Sequence, residues 1–227
     1  MDETPSGYKA LPSQQSRNAR LLFSTAWLFL FIGLGFYADY AGVPAFDLAI
    51  RNTIHAHSSL AVAGIMLDAS RLGSRQLLVP VIIILLIILA VLKDKPGLVF
   101  LGYVTIGEII LETSTKDFFH RARPESFFHV PLPHSYSYPS GHSLGSICFY
   151  GALALVGSRY FAAAGKWIVY LSAVLIVGLV GFSRIYLGVH YPTDVIGGYF
   201  LGAWWLSLLS SLLNLQSAPI KRKGSEI

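Results

Sequence analysis

The chain has 227 residues and a net charge of +5; 54% of its residues are hydrophobic and only 13% are charged. A mean hydropathy of +0.58 lies outside the usual range of soluble globular domains, so the composition indicates an integral membrane protein. The basic residues stand at the ends of apolar runs and not on one polar face, which argues against a nucleic-acid-binding protein. The single cysteine, Cys148, cannot form an intrachain disulfide, so helix packing must stabilise the chain.

The N-terminal segment, residues 1–18, is rich in Ser, Pro, Gln and Asn and has no apolar period, so it is predicted to be a disordered cytoplasmic tail. The first apolar run, residues 21–40, follows Lys9, Arg17 and Arg20. This run is longer than the roughly 7 to 15 apolar residues of a cleaved signal peptide. We therefore expect a retained membrane anchor.

Further apolar runs approach or reach the roughly 17 to 25 residues that a helix needs to cross a hydrocarbon core. Together with the first run they predict an all-α, polytopic membrane domain over residues 19–214, followed by a basic cytoplasmic tail at residues 215–227. The six predicted spans are residues 21–40, 77–92, 98–115, 142–158, 167–183 and 192–213.

Residues 43–75, between the first and second spans, have a different pattern. Apolar side chains at positions 46, 50 and 54 share one helical face, opposite polar side chains at positions 47, 51 and 55. The apolar stretch that follows, residues 60–67, is too short to cross a membrane. We expect an interfacial helical segment here rather than a seventh span.

The basic residues also predict the topology. Cytoplasmic loops carry an excess of Lys and Arg, and both chain termini are basic, which requires an even number of spans. The pairs Lys93 and Lys95, then Arg159 and Lys166, fit the two other inner loops. Residues 116–142 and 183–194 then emerge together on the outer face of the cytoplasmic membrane, where we expect the functional site.

The first motif of this outer face places Lys116 seven residues before Arg123, which is followed by Pro124. On a continuous helix this spacing would put both cations on one face, two turns apart, where they could share an anion. The alternative is a pair of cations that reach towards lipid headgroups. Glu112 is expected to pair with Lys116 at i,i+4; Asp117, His120 and Arg121 are secondary candidates for substrate contact.

The second motif, Pro139-Ser140-Gly141-His142, opens the fourth span. Ser140 is a good N-cap residue, and Gly141 lets an anion approach the free amides of the first helical turn. His142 can release a proton near neutral pH.

The third motif contains Arg184, His190 and Asp194. A carboxylate four residues after a histidine can accept one imidazole N–H and leave the other nitrogen unprotonated as a nucleophile for phosphate. The planar guanidinium of Arg184 suits two oxygens of a phosphoryl group. A histidine and a carboxylate can also bind a metal, but three converging cations would repel a divalent ion, so no metal is predicted.

In this order the three motifs resemble the signature of the type 2 phosphatidic acid phosphatase (PAP2) superfamily, which also contains glucose-6-phosphatases and vanadium haloperoxidases. Every signature position is matched, and the six-span layout is similar to that of small bacterial lipid phosphatases. The matched residues are Lys116, Arg123, Pro124, Pro139, Ser140, Gly141, His142, Ser183, Arg184, His190 and Asp194.

The resemblance implies a metal-independent lipid phosphatase without a cofactor. It implies that His190 forms a phosphohistidine, that Asp194 positions the imidazole, and that His142 protonates the leaving group and then activates water. The implied phosphate ligands are Lys116, Arg123, Arg184 and the amides of Ser140 and Gly141.

The expected partners are the bilayer and a phosphorylated lipid, such as phosphatidylglycerophosphate, undecaprenyl pyrophosphate or phosphatidic acid; the sequence indicates no particular oligomeric state. Two alternatives stay open at this stage. One is a vanadate-dependent haloperoxidase, against which the short, membrane-embedded chain argues. The other is a carrier of a phosphorylated lipid or solute, which would need the cations but no nucleophile.

Overall fold

The structure, a computed structural model, describes residues 14–215. This part of the chain folds into eight α-helices and contains no β-strand. The helices are α1 (Gln14–Tyr40), α2 (Ala45–Ala56), α3 (Leu60–Arg71), α4 (Arg75–Val91), α5 (Lys95–Phe119), α6 (Gly141–Gly157), α7 (Ala163–Tyr186) and α8 (Pro192–Leu212).

Five stretches of the described residues are long and apolar enough to cross a membrane: Asn18–Tyr40, Leu60–Val91, Lys95–Phe119, Ala163–Tyr186 and Pro192–Leu212. These helices confirm the predicted all-α, multi-pass membrane fold. The remaining predicted span corresponds to α6, whose 17 residues lie at the lower end of the range for a crossing. The count of six spans therefore stays a prediction.

The predicted tails fall mostly outside the described residues. Helix α1 begins at Gln14, within the stretch predicted as the N-terminal tail, and the division into tails and membrane domain stays a prediction. Residues 1–13 and 216–227 are not described.

Helices α2 and α3 form the predicted helix pair between the first span and α4, and the polar side of α2 faces the protein. Asp47 and Arg51 are buried, whereas Phe46 and Leu48 are exposed. Asp47 is buried because it accepts hydrogen bonds from the backbone N–H (2.9 Å) and the hydroxyl (2.6 Å) of Thr193 in α8. The position of this pair at the membrane interface stays a prediction.

Helix α6 lies at the centre of the bundle, in contact with α5, α7 and α8, while α1 packs against α8. Small residues let α8 approach α6 closely. A Cβ atom at Gly202 would lie 2.1 Å from the Ile147 side chain, and one at Gly198 would lie 2.9 Å from the Ser140 carbonyl. This contact fixes the N-terminus of α8 beside the N-terminus of α6.

Candidate active site

The polar residues of the three motifs lie at one end of the bundle. The end of α5, the start of α6, the end of α7 and the start of α8 meet there. Hydrogen bonds join these segments directly. The Ser140 N–H donates to the Asp194 carbonyl (3.0 Å), and Arg123 reaches His190 (3.0 Å). Packing of four helices thus brings distant motifs into one place.

Asp194 holds His190 and also caps α8. The helix begins at Pro192, as predicted, and the Asp194 carboxylate accepts the Tyr191 N–H at 2.9 Å. The same oxygen, Oδ2, lies 3.3 Å from His190 Nδ1 and accepts the Ser137 hydroxyl at 2.5 Å. Both carboxylate and imidazole are buried, so the ring has a fixed orientation.

Arg123 determines which nitrogen of His190 carries the proton. Its Nη1 lies 3.0 Å from His190 Nε2. Arginine only donates hydrogen bonds, so Nε2 must accept, and the neutral ring carries its proton on Nδ1, facing Asp194. The unprotonated Nε2 therefore faces the cations, as a nucleophile for phosphorus requires.

His190 is held in the neutral form. Burial lowers its pKa most; Asp194 raises it, and the nearby Arg123 and Arg184 lower it further, to a final value of about 4. The ring is therefore uncharged at neutral pH, and its free nitrogen is available without prior loss of a proton.

Arg123 does not lie on the same helix as Lys116, so this part of the sequence prediction is wrong. Helix α5 ends at Phe119, and His120 adopts a left-handed conformation (φ 49°) that stops the helix. Pro124 disfavours helical geometry at Arg123, which instead lies in a loop without regular secondary structure. There its guanidinium donates to the carbonyls of Ser135 and Tyr136 and to the Ser135 hydroxyl.

Lys116 forms the predicted ion pair with Glu112, at 2.7 Å, and both side chains are buried. Glu112 also pairs with Arg75, at the start of α4. Its carboxylate packs against Gly141, where a Cβ atom would lie only 2.1 Å from Oε1. Glycine is thus required here because a carboxylate of the protein itself approaches the α6 backbone.

Ser140 caps α6 as predicted, and its hydroxyl accepts the Ser143 N–H at 3.4 Å. Its own N–H donates to the Asp194 carbonyl within the protein, and the expected role of this amide in phosphate binding stays a prediction. The amides of Gly141 and His142 have no intrahelical partner, because they belong to the first turn. His142 is half-buried and lies near four positive or titratable groups: Arg184, His190, Lys116 and Arg123.

Arg184 lies in the last turn of α7 and is buried. Its Nη1 donates to the Ser70 hydroxyl of α3. Its Nε is also buried and has no hydrogen-bond partner among residues 14–215. A buried donor without an acceptor is costly, and an anion bound in the site would satisfy it.

Most of the contacts that support Asp194 were not predicted from the sequence. Arg121 donates to Asp194 Oδ1 at 2.6 Å, to Asp47 Oδ2 at 2.8 Å and to the Thr193 hydroxyl at 2.7 Å. Burial favours a lower pKa for Arg121, but the two carboxylates raise it above its ordinary value. One signal in the sequence could have indicated these contacts, namely an aspartate, Asp47, within a largely apolar segment. Its partner, Arg121, lies 74 residues away in the chain.

A cavity of about 790 Å³ opens beside the motif residues. Lys116 and Arg123 line it together with residues that are not signature positions of the three motifs. These are Arg75, Glu112, Thr113, Asp117, Leu132, Pro133, His134, Ser135 and Tyr136. The cavity is large enough for a polar headgroup, and it gives access to the cations next to His190.

Two curated proteins are similar to this chain over most of its length. Phosphatidylglycerophosphatase B of Bacillus subtilis (strain 168) is 38% identical over 143 residues, which cover 61% of this chain and 68% of the relative. The undecaprenyl-diphosphatase of Sulfolobus acidocaldarius is 33% identical over 205 residues, which cover 86% of this chain and 92% of the relative.

The fold is similar to a solved structure as well. The crystal structure of a transmembrane PAP2-type phosphatidylglycerolphosphate phosphatase from Bacillus subtilis aligns with a TM-score of 0.73 and 31% identity, over 83% of this chain and 94% of that one. The family model described as "PAP2 superfamily" matches residues 97–217, which contain all three motifs and more than half of the sequence. The chain therefore belongs to the PAP2 superfamily.

Proposed function

We propose that this protein is a membrane lipid phosphatase that hydrolyses the phosphomonoester or diphosphate headgroup of a lipid through a phosphohistidine at His190. One observation carries the proposal: the buried, neutral His190 keeps Nδ1–H towards Asp194 and presents Nε2 to the cation Arg123. A site that only bound a phosphorylated lipid would need the cations but not an oriented, unprotonated nitrogen.

In the first step His190 Nε2 forms a bond to phosphorus while the bond between phosphorus and the leaving oxygen breaks. The negative charge of the bound phosphate keeps His142 protonated, and this imidazolium gives its proton to that oxygen. The imidazole becomes a cation, which the Asp194 carboxylate stabilises. Arg123 exchanges its bond to Nε2 for one to a phosphoryl oxygen, and Arg184 and Lys116 neutralise further charge.

In the second step water attacks the phosphohistidine. His142, now neutral, takes a proton from the water as the new P–O bond forms, and the P–N bond breaks. Inorganic phosphate leaves, and His190 returns to its neutral form with the proton on Nδ1. Both steps depend on preorganised positive charge and on the fixed imidazole more than on further covalent chemistry.

The location of the site supports a lipid as substrate. It lies at the ends of apolar helices, and the relatives include a phosphatidylglycerophosphatase, an undecaprenyl-diphosphatase and a lipid A 1-phosphatase. We infer from the basic loops that the protein lies in the cytoplasmic membrane and that the site faces its outer side.

The test is phosphate release from a panel of lipid phosphates in detergent, with and without a chelator. The wild type should release phosphate at the same rate in EDTA, and His190→Ala should lose at least about a thousandfold in kcat, as the loss of a covalent nucleophile does. Wild-type turnover by His190→Ala would refute the nucleophile. Loss of activity with EDTA would instead indicate a metal-dependent enzyme, and binding without release would indicate a carrier.

A further inference from the structure

We propose that Arg75 binds a second phosphate, the one that stays on the lipid after hydrolysis, and thereby makes the enzyme prefer lipids with two phosphates. The inference rests on the proposed lipid phosphatase function and adds a substrate preference and the residue that sets it. Arg75 belongs to none of the three motifs.

Arg75 lies at the junction of two cavities. The large polar cavity contains Lys116 and Arg123, beside the reactive His190. A second, narrow cavity of about 60 Å³ runs between α4, α5 and α6, and most of its lining is apolar, including Leu78, Ile82 and Val104. Among the described residues, Arg75 is the one that lines both.

This junction corresponds to the boundary between the headgroup and the hydrocarbon chain of a bound lipid. The reactive phosphate belongs in the polar cavity. The apolar cavity is too small to hold a lipid chain, so the chain would lie along the exposed apolar side chains at its edge, Val79 and Ile109. The atoms between the reactive phosphate and the chain pass Arg75. In a lipid diphosphate, or a lipid that carries both a phosphodiester and a terminal phosphate, this intermediate position is anionic. In a lipid monophosphate the same position is an uncharged ester or alkyl group.

Glu112 fixes Arg75 beside Lys116. Its Oε1 accepts Lys116 and its Oε2 accepts Arg75, so the two cations lie on either side of one carboxylate. A substrate whose terminal phosphate contacts Lys116 would therefore present its next phosphate towards Arg75.

The guanidinium of Arg75 is available for such a ligand. Its Nη2 donates to Glu112, and it makes no other hydrogen bond to residues 14–215. Its side chain is 58% exposed, whereas that of Lys116 is 9% exposed. A planar guanidinium with free N–H groups suits two oxygens of a phosphate.

A purely structural role of Arg75 predicts a different effect of its loss on the two kinds of substrate. If Arg75 served only to orient Glu112, and through it Lys116, its loss would impair every substrate equally. The test therefore compares two substrates with the same chain, farnesyl diphosphate and farnesyl monophosphate, as initial rates of phosphate release. The variants are Arg75→Gln, Arg75→Lys and the control Arg71→Gln, which removes an exposed arginine that pairs with Asp68.

We expect the wild type to prefer the diphosphate, and Arg75→Gln to lower kcat/KM for it by about 10- to 100-fold, the usual effect of losing a charged hydrogen bond. For the monophosphate the fall should be less than about threefold. Arg75→Lys should retain part of the preference, and Arg71→Gln all of it.

Equal losses on both substrates, or an unchanged preference in Arg75→Gln, would overturn the role of Arg75 and leave the phosphatase function intact. A wild type without a preference for the diphosphate would also overturn the role of Arg75. A wild type that releases phosphate from neither farnesyl substrate nor any lipid phosphate of the panel would overturn both proposals.

Discussion

At the scale of single residues, the buried carboxylate of Asp194 connects nearly every part of the candidate site. One oxygen receives the Tyr191 N–H, the Ser137 hydroxyl and His190, and the other receives Arg121. Arg121 in turn binds Asp47. His190 is therefore positioned by a chain of ionic contacts that begins in α2, and Asp47 and Arg121 are positioning residues.

Asp47→Asn tests this chain of contacts. Removing one partner of a buried ion pair leaves Arg121 incompletely neutralised, so we expect the free energy of unfolding to fall by about 3 to 5 kcal/mol. Thermal unfolding in detergent, followed by the fluorescence of the four tryptophans, measures the change. The matched control, Asp68→Asn, breaks an exposed pair with Arg71 and should cost less than about 1 kcal/mol. Equal effects of the two substitutions would contradict the role assigned to Asp47.

The lowered pKa of His190 predicts a stability that depends on pH. The pKa of His190 is about 4 in the folded protein, whereas an unperturbed histidine has a pKa of 6.5. Between pH 4 and 6.5 the unfolded chain therefore binds more protons than the folded protein does. The contribution of His190 to the free energy of unfolding is fully present above pH 6.5. It is lost as the pH falls towards 4, and the total loss is about 3 kcal/mol.

Melting curves between pH 4 and 7 measure this dependence, and His190→Asn should reduce its slope. An unchanged slope in the variant would show that other groups cause it.

At the scale of helices, the site depends on how closely α5 approaches the start of α6. Gly141 has room for no side chain, because the Glu112 carboxylate occupies the space. That carboxylate also holds Lys116, so the spacing of the two helices controls the position of a proposed phosphate ligand.

Gly141→Ala should therefore move Glu112 and Lys116 and lower kcat/KM for phosphate release by at least about tenfold, since small displacements of positioning groups are costly. Stability should fall by about 1 to 3 kcal/mol from overpacking. Gly157→Ala, at the other end of α6, has no described atom within 4 Å of the new Cβ and should change neither quantity measurably. Full activity in Gly141→Ala would mean that this contact does not set the geometry of the site.

The sequence predicted the helices and several local contacts of the motif residues well because these depend on local patterns. Pro192 in a first turn, Ser140 as a cap and the i,i+4 pair of Glu112 with Lys116 follow from short-range rules, and the structure contains all three. The end of α5 before Arg123 was not predicted, since it depends on the left-handed conformation of His120. Contacts between distant segments, such as Asp47 with Arg121, leave no periodic signal in one sequence.

At the scale of the whole molecule, the charge pattern predicts which end of the bundle is outside. His134 is exposed and lines the large cavity, whereas Lys93 is exposed in the loop between α4 and α5. If the site faces outward, these two positions lie on opposite sides of the membrane.

Cysteine labelling tests this orientation. The only native cysteine, Cys148, is buried, so the wild type should react little with a membrane-impermeant maleimide on intact cells. We expect His134→Cys to be labelled from outside and Lys93→Cys only after the cells are broken. The reverse pattern would place the proposed site on the cytoplasmic side.

In the proposed mechanism His190 itself carries the phosphoryl group. Rapid quenching at alkaline pH during turnover of a ³²P-labelled lipid phosphate, followed by peptide analysis, measures this directly. We predict transient label on the peptide that contains His190 and no label in His190→Ala. Turnover without label on that peptide, or label that persists in His190→Ala, would contradict it.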